Sequence, residues 1–328
     1  MNFTAFQDYR AALLRESPGV LDCAETNLYR ALARFALPPT EAPTATVHRC
    51  HLASEWAQCF ALDPACSSRA LVSAGVRDSL ARLFVHLASR RAKLWLPEDN
   101  YPVYGDLATT AGLRFHTFPT LPEAVWPDDE PASECEVLLV TNPMKPRGRW
   151  LSDDDVSALS AWLAKSPQRR LMLDAVYTFH TSFDKATLRL LATEQVILLH
   201  SVTNGWLHPR LFGIALVPAQ DASALTSAFR AEPPSQTSLA RTRQMLGASS
   251  DVPAMIAREL TSARERLNAG WPEQCPALWS VDAPGYFTPI TLPWRRLLDE
   301  HHILGLPATT FGSGRADITI LSSLSFLP

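Results

Sequence analysis

Four side chains able to hold an anion or a small polar ligand lie within ten residues of each other: Ser201, Thr203, Asn204 and Arg210. They belong to the run I-L-L-H-S-V-T-N-G-W-L-H-P-R-L-F-G-I-A-L-V-P, an apolar stretch, a polar turn and a second apolar stretch. Hydroxyls and a guanidinium at a strand end suit an oxyanion or a phosphate. A polar hairpin connection would use the same residues without any ligand. A second anion site is offered by Ser73-Ala74-Gly75-Val76, a small-residue turn opening an apolar-faced helix. Backbone N–H groups at such a turn face outward at the positive end of the helix dipole, although many α/β proteins use such turns only as connectors. Polar strand ends are offered by Asp174, which closes L-M-L-D, and Asn142, which closes L-L-V-T-N. Amine chemistry has few sources, because the chain has only four lysines: Lys93, Lys145, Lys165 and Lys185.

Elements must bring these residues together. Apolar runs at 70–72, 93–96, 114–118, 136–141, 170–173 and 196–199 read as strands, and 211–217 as a further one. Helices are expected over 9–15, 27–36, 52–62 and 77–89, up to Ala111, and from the Ser152 cap to Lys165. Strands alternating with helices predict an α/β fold, a mostly parallel sheet covered by helices on both faces. In such sheets ligands bind beyond the carboxyl ends of the strands, where Asn142, Asp174, Ser201 and Thr203 stand. Past Ala219 the pattern changes to helices at 235–246 and 252–269, a strand from 285 to 292, a helix over 294–301 and a last strand over 317–321. The expected organisation is an N-terminal arm (1–45), a large domain (46–220) and a smaller α+β domain (221–328).

Composition narrows the function. The chain has 328 residues, 47% hydrophobic and 19% charged, with a net charge of −3, so no basic patch marks it for nucleic acid or an anionic membrane. No run approaches a membrane span, and the start of the chain lacks the pattern of a signal peptide. Six cysteines without C-x-x-C or zinc-like spacing suggest reduced thiols, a cytoplasmic protein and no metal site.

Five landmarks in order resemble the class I/II aminotransferases, the fold-type-I pyridoxal-phosphate (PLP) enzymes, in the style of the histidinol-phosphate aminotransferase branch. They are L-P-E-D-N-Y-P-V-Y, L-L-V-T-N-P-M-K-P-R-G (similar to N-P-x-N-P-T-G), L-M-L-D-A-V-Y, the Ser201–Arg210 turn, and G-Y-F with the terminal G-R-A-D-I-T-I. The resemblance implies that fold, a homodimer, and chemistry on an amino acid or amine through an external aldimine. It places Asp174 against the pyridine nitrogen, Tyr177 and Asn142 on the ring's phenolic oxygen, and Tyr101 on the ring face. The phosphate would meet Ala74, Gly75, Ser201, Thr203 and Arg210, the last displaced by two positions from the family pattern. Arg315 would clamp the substrate carboxylate, and Asn27 would line the substrate side.

One position departs from the family. Where it keeps the lysine that forms the imine and moves the proton, this chain has Asn204, whose amide is neither nucleophilic nor basic. Three accounts remain open. An active enzyme would bind PLP or pyridoxamine phosphate non-covalently and use His208, His200 or His180 as base. A degenerate subunit would keep the fold and support a partner. An ordinary aminotransferase would have lost its lysine by substitution. Lys145, at the second Asn position of N-P-x-N-P, stands near the expected site rim, and the other three lysines read as surface residues.

Overall fold

The structure is a computed structural model, and it describes residues 1–35, 46–99, 102–128, 135–179, 182–207, 212–247, 251–279 and 284–327. Tyr101, His180, His208 and Arg210 lie outside these residues, as does the side chain of Thr203.

Seven strands form the central sheet: β1 (Ala70–Ser73), β2 (Lys93–Pro97), β3 (Phe115–Phe118), β4 (Glu136–Thr141), β5 (Arg169–Asp174), β6 (Val196–His200) and β7 (Gly213–Leu216). Their order is β1-β7-β6-β5-β4-β2-β3. The pairs from β3 to β6 are parallel, and β7 runs antiparallel to both β6 and β1. β4, β5 and β6 are buried at every residue, as expected of parallel strands covered on both faces. The register sets Asp174 beside Thr141 on one side and Leu199 on the other, so the polar strand ends line up.

The helices before β7 are α1 (Phe3–Glu16), α2 (Leu28–Ala31), α3 (Arg49–Cys59), α4 (Val76–Ser89), α5 (Val103–Thr110), α6 (Asp153–Ala164), α7 (Lys185–Leu191) and the short α8 (Val202–Gly205). α6 starts where Ser152 predicts, with a capping box in which the Ser152 hydroxyl accepts from the Asp155 N–H and the Asp155 carboxylate accepts from the Ser152 N–H. Beyond β7 come α9 (Ala219–Arg230), α10 (Gln236–Gly247), α11 (Asp251–Ala269) and α12 (Trp294–His301). A second antiparallel sheet holds β8 (Phe287–Thr291), β9 (Leu306–Pro307) and β10 (Ile318–Ser322) in the order β9-β10-β8. α7 and α9 are additional to the elements expected from the sequence. α9 buries only Leu225 and Phe229, which join Leu80, Leu83 and Phe84 of α4 in one apolar cluster.

The first 35 residues are tied to the C-terminal part. Leu21 and Asp22 pair in parallel with Ile303 and Leu304, and Phe6 and Tyr9 both meet the Trp294 ring edge-on. No described helix is long and apolar enough to cross a membrane. All six cysteines are free, and among the described residues no group of three His, Cys, Asp or Glu stands together as a metal site would need.

His200, one of the histidines proposed above as a base, is part of the core. Its ring is fully buried against Phe60 (4.5 Å between centroids) and Phe183 (5.3 Å), and its Nδ1 accepts from the Trp56 indole N–H at 3.1 Å. Burial holds its pKa down to about 3. It is not among the residues lining the cavity described below. A neutral buried imidazole has a consequence for stability. The unfolded chain protonates this histidine below its ordinary value while the folded chain does not, so the stability it contributes is lost as pH falls from about 6.5 toward 3. Between pH 7 and pH 5 this one group should remove about 2 kcal/mol. Urea unfolding at the two pH values checks it: His200→Gln, which keeps an acceptor for Trp56, should lose that much less than the wild type, and equal losses would refute it.

Candidate active site

At the carboxyl ends of β4, β5 and β6 lies a cavity of about 780 Å³, lined by the N-terminal segment, the start of α4, the start of α5, and the second sheet. That volume falls in the range of roughly 300–1,000 Å³ typical of small-molecule sites. Of the expected residues it gathers Asn27, Ala74, Gly75, Asp174, Tyr177, Ser201 and Asn204.

Asp174 ends β5 and is only 3% exposed. Its Oδ2 accepts from the Tyr104 hydroxyl at 2.7 Å and its Oδ1 from the Val176 N–H at 3.0 Å. Burial raises its pKa above the usual carboxylate range, against the opposing pull of those two hydrogen bonds and of the Lys145 charge. Tyr104 comes from α5, and was the second tyrosine of the Y-P-V-Y landmark rather than the one singled out.

Three residues after Asp174, the Tyr177 hydroxyl accepts from the Lys145 ammonium at 2.7 Å and lies 3.4 Å from the Tyr286 hydroxyl. Lys145 Nζ also sits 4.4 Å from the centre of the Tyr177 ring and 5.1 Å from that of Phe287. Burial alone would raise the Tyr177 phenol, but the ammonium beside it outweighs burial and brings its pKa below the ordinary value. Tyr286 moves the other way, raised by burial and by its phenolic neighbour.

Asn142 stands differently from the expectation. It is fully buried, its Nδ2 donates to Asp184 Oδ2 (3.0 Å) and Thr187 Oγ1 (2.9 Å), and its Oδ1 accepts from the Leu151 N–H at 3.0 Å. These bonds tie β4 to the start of α7 and use every polar atom of the amide. In the N-P-M-K-P segment it is Lys145, not Asn142, that lines the cavity. Arg315 is also absent from the lining: its guanidinium is 40% exposed and makes two bonds, at 2.8 and 2.7 Å, to the carboxylate of Asp317 two residues on. The cations among the described lining residues are Lys145 and Arg77.

Asn204 has both ends of its amide engaged. Its Oδ1 accepts from the Tyr29 hydroxyl at 2.9 Å, and its Nδ2 donates to the Val176 carbonyl at 3.1 Å. The amide thereby fastens the N-terminal segment to the end of β5. Asn27, two residues before Tyr29, caps α2 by accepting from the Arg30 N–H and borders the same cavity.

The turn before α4 has the expected form, with Gly75 at φ 142° leading into Val76. It is packed against the start of β7 so closely that a Cβ on Gly213 would lie 2.5 Å from the Gly75 carbonyl carbon. Glycine at 213 is therefore part of the turn's construction. The Ala74 N–H already has a partner, Asp78 Oδ2 at 3.0 Å, and the Gly75 N–H reaches Ser73 Oγ at 3.3 Å. Asp78 in turn pairs with Arg82 at 2.8 Å.

No protein-family model matches the chain. A stretch of 147 residues, 42% of the chain, is 26% identical to the S-alkyl-thiohydroximate lyase SUR1 of Arabidopsis thaliana, and the match spans about a third (32%) of that protein's length. The likeness to solved structures covers the whole chain. A double mutant of the Thermus thermophilus aspartate aminotransferase superposes with a TM-score of 0.71 over 99% of this chain and 92% of that one, at 18% identity. Bna3p of Saccharomyces cerevisiae, a putative kynurenine aminotransferase, gives 0.72 over 100% and 93% at 12% identity. YbdL of Escherichia coli, described with a methionine aminotransferase function, gives 0.71 over 97% and 94% at 16% identity. The chain thus has the aminotransferase fold.

Proposed function

We propose that the cavity binds pyridoxal 5′-phosphate or pyridoxamine 5′-phosphate with no link at position 204, and that the chain is an atypical PLP-dependent enzyme acting on an amino acid or amine. The observation that carries this reading is Asp174. A carboxylate 3% exposed, accepting from one phenol and one backbone N–H, gains most from a cationic N–H supplied across the cavity. A protonated pyridine nitrogen is such a partner. When bound, the cofactor supplies a ring that withdraws electrons from the carbon bearing the substrate's amino group.

The chain's own residues divide the remaining work. Asp174 would keep the proton on the ring nitrogen. Tyr177 and Lys145 would donate to the oxygen on the ring, and Ser201 with the N–H groups of Ala74 and Gly75 would hold the phosphate. Arg77, at the first turn of α4, would meet a substrate carboxylate in place of Arg315. A homodimer in the cytoplasm belongs to the same reading, on the strength of the fold it shares with the aminotransferases.

The ring end fits the cofactor as it stands. The phosphate end fits once the Asp78 carboxylate leaves the Ala74 N–H and the Ser73 hydroxyl leaves the Gly75 N–H. A carboxylate there opposes a phosphate dianion at the same helix end, so Asp78→Ser should tighten PLP binding by about 1 kcal/mol, roughly fivefold in Kd. Fluorescence titration checks this, and a weaker or equal affinity would count against phosphate at this turn.

Equilibrium dialysis and an absorbance titration of the purified protein with each cofactor form test the reading as a whole. Saturable binding at one site per chain is expected. Absence of saturable binding by either form would overturn it and leave a cofactor-free scaffold or partner subunit. Two observations favour that second reading: Asn204 is already satisfied by Tyr29 and Val176, and Asp78 already occupies the Ala74 N–H.

A further inference from the structure

The cavity contains an amine, though not where the family keeps one. Of the four lysines, Lys93 sits 3.5 Å from Glu136 at the opposite end of the sheet, and Lys165 and Lys185 are exposed at helix ends. Lys145 alone among them borders the cavity that holds Asp174. It is presented on a tight loop after β4. Its N–H donates to Thr141 Oγ1 at 3.0 Å, and the Met144 N–H and the Gly148 N–H each close a bond of 2.7 Å, to the Arg149 and Met144 carbonyls respectively. The side chain is half-buried and lies against the faces of Tyr177 and Phe287, which shed water from it. Its head is bonded to the Tyr177 hydroxyl at 2.7 Å, a proton's transfer away from a group that can take the ammonium's charge.

We propose that Lys145 is the reactive amine of this cavity and condenses with an aldehyde, which under the reading above is the formyl group of pyridoxal phosphate. The inference rests on that reading for the identity of the aldehyde, but not for the reactivity of the amine. It replaces non-covalent binding with a link delivered from the β4 side. Tyr177 in its phenolate form, which the adjacent ammonium favours, takes the ammonium proton and frees the Nζ lone pair. Nζ adds to the carbonyl carbon and a C–N bond forms. The carbonyl oxygen takes the proton held by Tyr177 and a second from the nitrogen, and leaves as one water. A C=N bond remains, no oxidant or reductant is involved, and the addition of water reverses the step. Lys145 is then both the anchor and, once a substrate amine has displaced it, a base held beside the reacting carbon.

The test is a labelling experiment on the full-length protein. It is incubated with pyridoxal phosphate or with salicylaldehyde, an unphosphorylated aromatic aldehyde, reduced with borohydride, digested, and read by peptide mass spectrometry. The expected result is that most of the label from both aldehydes falls on the peptide carrying Lys145. It should be lost in Lys145→Arg, which keeps the charge and the donor to Tyr177, and in Lys145→Met. It should form more slowly in Tyr177→Phe. Circular dichroism of each variant reports folding, and the arginine variant keeps the test valid if the methionine one unfolds. Label spread over Lys93, Lys165 and Lys185, or unchanged in Lys145→Arg, would overturn the proposal even if dialysis shows that the cofactor binds. Label on Lys145 from salicylaldehyde alone, without cofactor binding, would uphold the reactive amine and sink the cofactor reading.

Discussion

Replacing Asp174 by asparagine should weaken PLP binding by about 3 kcal/mol, roughly 150-fold in Kd, while leaving the cofactor-free protein at least as stable at pH 7 as the wild type. The two halves follow from one fact. Asp174 is buried at the end of β5, and burial raises its pKa above the ordinary carboxylate value despite the Tyr104 and Val176 hydrogen bonds. A carboxylic acid whose folded pKa is raised binds its proton more tightly folded than unfolded. The stability this gives is fully present below the unfolded value and is lost as pH rises through the folded one. At neutral pH the free protein therefore carries a cost at this position that a neutral asparagine does not. Under the proposed reading a bound cofactor would reverse the balance, because the carboxylate would then face a charged N–H, and an amide there offers only a neutral acceptor. Dialysis gives the affinity and urea unfolding of the free protein gives the stability. An unchanged Kd would remove Asp174 from the ring nitrogen. A variant that both binds less and unfolds more easily would mean only that the site had been damaged. A position that costs stability when empty and contributes affinity when filled is characteristic of a binding site rather than of a structural buckle.

What could be read from the sequence follows the range of the interactions involved. β4 and β5 were legible because strands buried on both faces carry apolar runs at their centres, V-L-L-V and L-M-L, bounded by polar residues. α6 was legible from a local cap, Ser152 with acids after it. α9 was not, since two buried apolar residues in twelve leave too faint a period. At the site, Asp174 and Tyr177 come from one segment whose end is fixed by its strand. Asn142 and Lys145 show the limit of such reasoning. Both are polar and follow the same strand, and only the packing of α7, which draws the Asn142 amide to Asp184 and Thr187, decides which of them faces the cavity. The bond between Tyr29 and Asn204 joins residues 175 apart, and no local pattern records it. The close approach of Gly213 to Gly75 is of the same kind, a contact between the start of a strand and a turn far from it in the chain.

The largest stability effect should come from the other end of the same strands. Glu136→Ala is expected to destabilise the protein by roughly 3–5 kcal/mol without altering the cavity. Glu136 opens β4 and Arg169 opens β5, paired residue to residue, and each is 1% exposed. Arg169 Nε donates to Glu136 Oε2 at 2.7 Å and its Nη1 to the Trp162 carbonyl at 3.0 Å, while the other Glu136 oxygen accepts from the Trp95 indole at 2.9 Å. Removing the carboxylate leaves a guanidinium buried opposite an indole N–H with no acceptor, which is the costly way to break such a pair. Replacing both partners, Glu136→Met with Arg169→Leu, should cost much less than the single change, since no fully buried charge is then left behind and Lys93, the other cation near Glu136, is partly exposed. Urea unfolding of the two variants measures the difference, and a double variant less stable than the single one would show that the pair is worth more than its desolvation. Labelling at Lys145 should be the same in whichever of these proteins remains folded. The sheet thus separates its tasks by strand polarity: the amino ends of β4 and β5 hold a closed, fully paired ion pair, and their carboxyl ends hold Lys145 and Asp174 facing open space.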